Sequence, residues 1–292
     1  MIRVTAPGKL VLLGEYAVLD GGASIVAAVD RGVSCEALAS HELTIETPGG
    51  DDRFVRAAIE ASSDSPNGHF RFFDQNPTAT ANKAGFGRSA AATVAALLAA
   101  TRLAGHALGT VDLRTSAHRI HHSVQGNGSG IDVAASVYGG LIRVEGDTVH
   151  ALSARQPIVV FSGQSAQTGP RVETYLQHSN REAFVRASSA LVDAFQDEPV
   201  RALSAGGELI GTMCRQAGIH YWTPALEAIV SLAKEYGGGG KPSGAGGGDS
   251  AVALFECEDD AQHFVTACRE QGFSVIPAVI APGAHSTEPN NV

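Results

Sequence analysis

The sequence predicts an α+β protein of two lobes, divided near residue 150. Two observations carry this. The first half reads as strands followed by helices, and the second half alternates strand and helix. A third concerns purpose: three glycine-rich segments, spread over most of the chain, have the composition of loops that approach a ligand closely. At 292 residues the chain can bury a substantial core and form one large or two medium domains.

The elements follow in order. Residues 2–5 suit a short strand ended by Ala6-Pro7-Gly8, and residues 9–13, apolar after Lys9, a second. Residues 23–29 and 32–39, rich in Val and Ala, are further strands. Residues 55–62 suit a short helix. Residues 64–80 are polar, with Pro66, Gly68, Asn76 and Pro77, and read as a loop containing one strand at 69–73. Residues 89–103 are nearly all Ala, Leu and Val, which predicts a helix buried on all sides. A helix over 112–124 ends before the second glycine segment, and Gly139-Gly140 turns into a strand at 141–144. In the second half, strands are expected at 157–161, 250–255 and 273–279. Helices are expected at 181–195, 201–217, 224–236 and 259–271. Thr223 before Pro224 gives the third of these helices an N-cap and N1 pair. The polar tail from Ala281 reads as loose.

Composition narrows the function. Hydrophobic content of 44% and charged content of 17% fit a soluble globular protein. A net charge of −9 argues against general nucleic-acid binding, yet local lysines and backbone amides can still hold an anionic substrate. The cysteines, Cys35, Cys214, Cys257 and Cys268, form no C-x-x-C pair and read as buried free thiols of a reducing cytoplasm. The first residues lack the apolar core of a signal peptide, and no apolar run reaches a membrane span. A cytoplasmic protein without membrane or nucleic-acid partners is expected, as monomer or homodimer.

The chemistry concentrates in the glycine segments. Gly85-Phe86-Gly87-Arg88-Ser89-Ala90-Ala91 runs directly into a helix, so its backbone amides and the helix N-terminus form a ready anion site. Lys83 can add a mobile positive charge, and Ser89 can ligate Mg²⁺ or cap the helix. Gly126-Asn127-Gly128-Ser129-Gly130-Ile131-Asp132 holds an acid beside a tight turn, where it can accept or orient a proton, or simply bond its own backbone. The third segment is Lys241-Pro242-Ser243-Gly244-Ala245-Gly246-Gly247-Gly248-Asp249. Lys9 can neutralise a transferring phosphoryl group or be a solvated strand end, and Glu15 and Tyr16 are polar groups between apolar stretches. Three phosphate-type loops with an acid and a lysine point to phosphoryl transfer from a nucleotide. Neither a G-x-x-x-x-G-K-[ST] loop nor a dinucleotide fingerprint is present. His118 and His122 share a helix face, but H-E-x-x-H is not met.

Taken together, these motifs resemble those of the GHMP kinases over essentially the whole chain. Residues 6–18 resemble the family's N-terminal signature, residues 85–91 its GLGSSAA loop, with Arg88 in place of the first Ser, and residues 241–249 its C-terminal loop. The resemblance implies an N-terminal lobe (1–150) similar to domain 2 of ribosomal protein S5, and a ferredoxin-like C-terminal lobe (151–292). ATP and substrate would meet between them. Within the family, Tyr16 after Glu15, Lys83, residues 125–134, residues 163–168 and Asp249 are most similar to the branch that phosphorylates 5-phosphomevalonate. By that resemblance Asp132 is the base or orienting acid and Lys9 stabilises the reacting oxygens. Lys83, Gly85, Gly87, Arg88, Ser89 and Ala90 hold ATP, with Ser89 toward Mg²⁺. Glu15, Tyr16, Ser129, Gly130, Ser243, Gly244 and Ala245 line the acceptor site with Lys9, and Ser165 and Thr168 meet the acceptor's phosphate. His121 stands in the helix where the mevalonate-phosphorylating branch carries a metal-binding Glu. Mevalonate, another small alcohol, or ligand binding without turnover are the alternatives.

Overall fold

The computed structural model describes residues 1–63, 65–75, 84–153 and 155–287. Lys83 therefore lies outside the described residues. In chain order the elements are β1 (Ile2–Leu13), β2 (Ser24–Leu38), β3 (Leu43–Glu46), α1 (Arg53–Glu60), β4 (Gly68–Asp74), α2 (Arg88–Leu103), α3 (Thr110–Gln125), α4 (Ile131–Tyr138), β5 (Leu141–Glu145) and β6 (Thr148–Leu152). They continue with β7 (Ile158–Phe161), α5 (Thr168–Gln177), α6 (Arg181–Ala194), α7 (Pro199–Ala217), α8 (Pro224–Glu235), β8 (Gly239–Pro242), β9 (Ser250–Leu254), α9 (Glu258–Glu270), β10 (Ser274–Ile276) and β11 (His285–Thr287). The α+β class is as the sequence predicts.

Two sheets organise the chain. The larger runs β11-β1-β2-β4-β3, with β5 paired to the first half of β2 and β6 paired to β5. The smaller runs β10-β7-β9-β8, all antiparallel. Two pairs of expected strands are in fact single long strands. β1 passes through Ala6-Pro7-Gly8 by a bulge against β2, where the register slips between Ala6 and Gly8. The tail is not loose: β11 pairs with β1 at Arg3, Val4 and Thr5.

Helices α1 to α4 cover one face of the large sheet. α2 is at the centre, with Ala90, Ala91, Val94, Ala95, Ala96 and Ala99 buried against Val4, Cys35, Phe70 and Phe72. Its alanines let it approach the sheet closely, so burial rather than amphipathicity holds it. A second apolar cluster spans both sheets. It joins Leu10, Leu12, Ile25 and Phe86 to Val159, Phe161 and Val252, and α6 and α7 add Val192, Phe195 and Leu203. The shared core fixes the glycine segments near the junction of the two sheets. Cys35, Cys214 and Cys268 are buried as expected, but Cys257 is exposed.

Candidate active site

The β1 bulge sets the site's floor. A Cβ on Gly8 would lie 2.3 Å from Arg31 O and 2.7 Å from Phe86 O, so only glycine lets β1 pass there. The next residue, Lys9, donates its backbone N–H to Phe86 O at 2.9 Å. This bond ties the strand to the first glycine loop. Gly87 then adopts the left-handed region (φ 67°, ψ 42°) and starts α2 without a side-chain cap. The first amides of α2 are thereby left for an anion. α4 is built the same way: Gly130 is left-handed at φ 73°, no side chain caps the helix, and Asp132 occupies the first turn. Asp132 Oδ1 accepts from Val133 N at 2.9 Å.

These parts converge. A Cβ built on Gly87 would be 3.0 Å from Lys9 Cγ and 3.6 Å from Asp132 Cβ, so the lysine and the acid both lie against this one glycine. A Cβ on Gly85 would be 2.9 Å from Asp249 Oδ2, which brings the third loop to the first. Lys9 is only partly exposed. Burial pushes its pKa below the ordinary lysine value, against the raising fields of Asp132, Asp249 and Glu15. An ammonium in the field of these carboxylates, beside two uncapped helix N-termini, is an arrangement suited to holding and neutralising phosphoryl oxygens.

Other sequence-predicted residues take several positions. Ser89 Oγ lies 3.1 Å from His121 Nε2, and buried His121 stacks on Phe54 with ring centroids 5.1 Å apart. Arg88 forms an ion pair with Asp74 of β4. Ala90 is buried in the first turn of α2. Glu15 is buried in an ion pair with Lys241, and its Oε1 also accepts from Gly244 N at 3.1 Å. Tyr16 is buried and donates its hydroxyl to Ala245 O at 2.7 Å. Ser243 donates to Val11 O and accepts from Val11 N, at 3.1 and 3.0 Å, which fastens the third loop to β1. Ser129 is half-buried in the second loop, and Thr168 is exposed at the start of α5. Ser165 is exposed in a stretch clamped to the site: Ala166 N donates to Asp249 Oδ1 at 2.9 Å, and Asp249 N to Gln164 O at 2.7 Å.

Three features had no assigned role in the sequence reading. Asp249 is a site carboxylate held at φ 55°, a conformation that Asp tolerates better than most residues. Its place at the end of a glycine run was the available signal. Arg171 packs its guanidinium on Gly247, where a Cβ would lie 2.0 Å from Nη2. The Glu15–Lys241 pair could not be read locally, because 226 residues separate its partners.

Comparison with known proteins identifies the family. The model of the GHMP kinases N terminal domain matches residues 53–140, and that of the GHMP kinases C terminal domain matches residues 191–273. The chain is 28% identical to a phosphomevalonate kinase of Saccharolobus solfataricus, covering 87% of this chain and 90% of that one. It is also 28% identical to a mevalonate kinase of Methanothermobacter thermautotrophicus, covering 88% and 91%. Its fold is similar to that of a Streptococcus pneumoniae phosphomevalonate kinase solved with phosphomevalonate and AMPPNP (TM-score 0.84, 16% identity, 96% and 100% covered). With most of its length matched by the family's two domain models, the chain belongs to the GHMP kinases.

Proposed function

We propose that the chain transfers the γ-phosphoryl group of ATP to the phosphate of 5-phosphomevalonate, giving 5-diphosphomevalonate and ADP. The observation that carries the reading is the convergence of Lys9, Asp132 and the uncapped start of α2 on Gly87. An acceptor phosphate oxygen attacks the γ-phosphorus in line, and the bond to the β,γ-bridging oxygen breaks as ADP leaves. The acceptor's second ionisation lies at about pH 6, so it reaches the site largely as the dianion and needs little base catalysis. Asp132 orients it, Lys9 neutralises the oxygens that gather negative charge, and the α2 amides hold the ATP phosphates. The nucleotide belongs to the lobe of residues 1–150, and the acceptor meets residues of both lobes.

Mg²⁺ supplies charge neutralisation across the transferring phosphates when bound. The hard oxygens of Ser89 and of Asp132 or Asp249 suit it. Among the described residues no cluster of three His, Cys, Asp or Glu is positioned to enclose a metal. His121 fixes the Ser89 hydroxyl.

The phosphorylated acceptor is favoured by the clamped stretch bearing Ser165 and Thr168, with Arg171 beside it on Gly247. The equal identity to a mevalonate kinase keeps mevalonate as the second reading. Steady-state kinetics of Ser165→Ala and Thr168→Ala separate them. The KM for 5-phosphomevalonate should rise about tenfold or more, with kcat changed less. Unchanged KM for the phosphorylated acceptor would remove these residues from its site.

A further inference from the structure

On the outer side of α3, Arg114, His118 and His122 follow one another at four-residue intervals, with Thr115 and Arg119 alongside. Together with Gly128 of the second loop and Asp147 of the β5–β6 turn they line a cavity of about 410 Å³. Arg114 forms a fixed wall: its guanidinium donates to Asp147 O and Gly146 O, each at 2.6 Å, with the Asp147 carboxylate 3.8 Å away. Arg119 and His122 are exposed, and neither side chain has a hydrogen bond or ion pair with a described residue. The His118 and His122 rings meet edge-on at 6.1 Å, and His118 Nε2 is buried without a partner.

This collection is unusual on a chain of net charge −9. Two guanidiniums and two imidazoles line this cavity with a single, exposed carboxylate; Arg114 is held by Gly146 O and Asp147 and His118 Nε2 packs on Gly130, which leaves Arg119 and His122 to meet a ligand. The planar donors of Arg119 and His122 beside this cavity favour an anion with several oxygens. The groove also touches the catalytic framework. A Cβ on Gly130 would lie 2.7 Å from His118 Cδ2 and Nε2, so the imidazole packs directly on that glycine. Gly130 starts the helix whose first turn carries Asp132.

We infer that this groove is a second anion site, separate from the catalytic junction, that takes a diphosphate group and is coupled to α4 through His118 and Gly130. The site does not rest on the identity of the acceptor, so its test needs no turnover.

Calorimetric titration of the full chain with inorganic pyrophosphate, without nucleotide and with AMPPNP at saturation, tests it. Pyrophosphate also fits the catalytic phosphate site when no nucleotide is present, so the expected result is one binding event that remains at saturating AMPPNP. Arg119→Ala and His122→Ala should each weaken it about tenfold, the loss of one charge-assisted contact, while AMPPNP binds as before. Methyl diphosphate in place of pyrophosphate distinguishes the source: tighter binding assigns the groove to a diphosphate ester, and equal or weaker binding to the free ion. Amide resonances of Gly130 and Asp132 should shift on saturation. Loss of all pyrophosphate binding at saturating AMPPNP, no binding, or indifference of the remaining binding to both substitutions would overturn the site. Shifts confined to α3 would overturn its coupling to α4.

Discussion

Glutamine at position 15 keeps the volume of the native side chain and removes one charge from a pair with almost no access to water. Lys241 is 0% exposed and Glu15 4%. In the native protein Glu15 Oε1 accepts from the Lys241 ammonium and from Gly244 N, and the ammonium also donates to Pro242 O at 2.7 Å. Removing one partner of such a pair typically costs about 3–5 kcal/mol, because the other charge stays buried and uncompensated. Here the cost has a ceiling. Burial already pushes the Lys241 pKa down, and Glu15 opposes that shift. Without Glu15 the ammonium can escape by losing its proton, which at pH 7 costs about 4–5 kcal/mol relative to an ordinary lysine. Glu15→Gln should therefore lose about 3–5 kcal/mol at pH 7 in urea denaturation. The sign of its pH dependence follows from the same shift. The unfolded chain holds a proton on Lys241 that the folded variant sheds, so the deficit shrinks as pH rises, by up to about 1.4 kcal/mol per unit below the unfolded value. The double change Glu15→Leu/Lys241→Met should recover most of the loss, since neither charge then needs a partner. A deficit under about 1 kcal/mol, one that does not shrink toward pH 9, or a double variant worse than the single would refute this reasoning.

Three further outcomes follow from the site. Lys9→Met should lower kcat by about two to three orders of magnitude while leaving nucleotide affinity within about twofold, measured by ADP release and by calorimetry with AMPPNP; unchanged turnover would remove Lys9 from the mechanism. Gly87→Ala places a Cβ 3.0 Å from Lys9 Cγ on a backbone at φ 67°. It should cost about 1–2 kcal/mol of stability from left-handed strain and a larger loss of activity from the displaced lysine, compared by denaturation and kinetics. His121 has its pKa held below the ordinary value by burial, against the raising field of Asp132. As pH falls through about 6.5 the unfolded chain takes up a proton that the folded chain refuses, so stability should fall, and His121→Asn should flatten that slope in denaturation curves from pH 7.5 to 5.

How much of this could be read from sequence depended on whether the deciding contacts were local. α2 was legible because its Ala, Leu and Val run suits only a buried helix. α3 was legible because Gly126 ends it in a left-handed C-cap. Lys9, Ser89 and Asp132 could be picked out as candidates, since each follows closely on a glycine, Gly8, Gly87 or Gly130, that the backbone requires. β1 was divided at Pro7-Gly8, because nothing local shows that the backbone of Arg31 passes over Gly8 and requires its missing Cβ. β8 was hidden in a glycine run that reads as loop. A Cβ on Gly239 would be 2.2 Å from Val200 O, so tight packing under α7, not turn geometry, selects glycine there. α4 and α5 were missed for a different reason. α4 follows directly on the second glycine loop and α5 opens with Thr168-Gly169-Pro170, so both starts read as loop. β11 depends on a partner at the far end of the chain, and three polar residues give no strand signal of their own.

The central claim is the acceptor, and ADP release by the purified chain with Mg²⁺ and ATP tests it most directly, with 5-phosphomevalonate and mevalonate supplied in parallel. The arrangement of Lys9, Asp132 and the clamped Ser165–Thr168 stretch predicts turnover with 5-phosphomevalonate at a kcat/KM far above that with mevalonate. Turnover with mevalonate alone, or with neither despite measurable ATP binding, would contradict it.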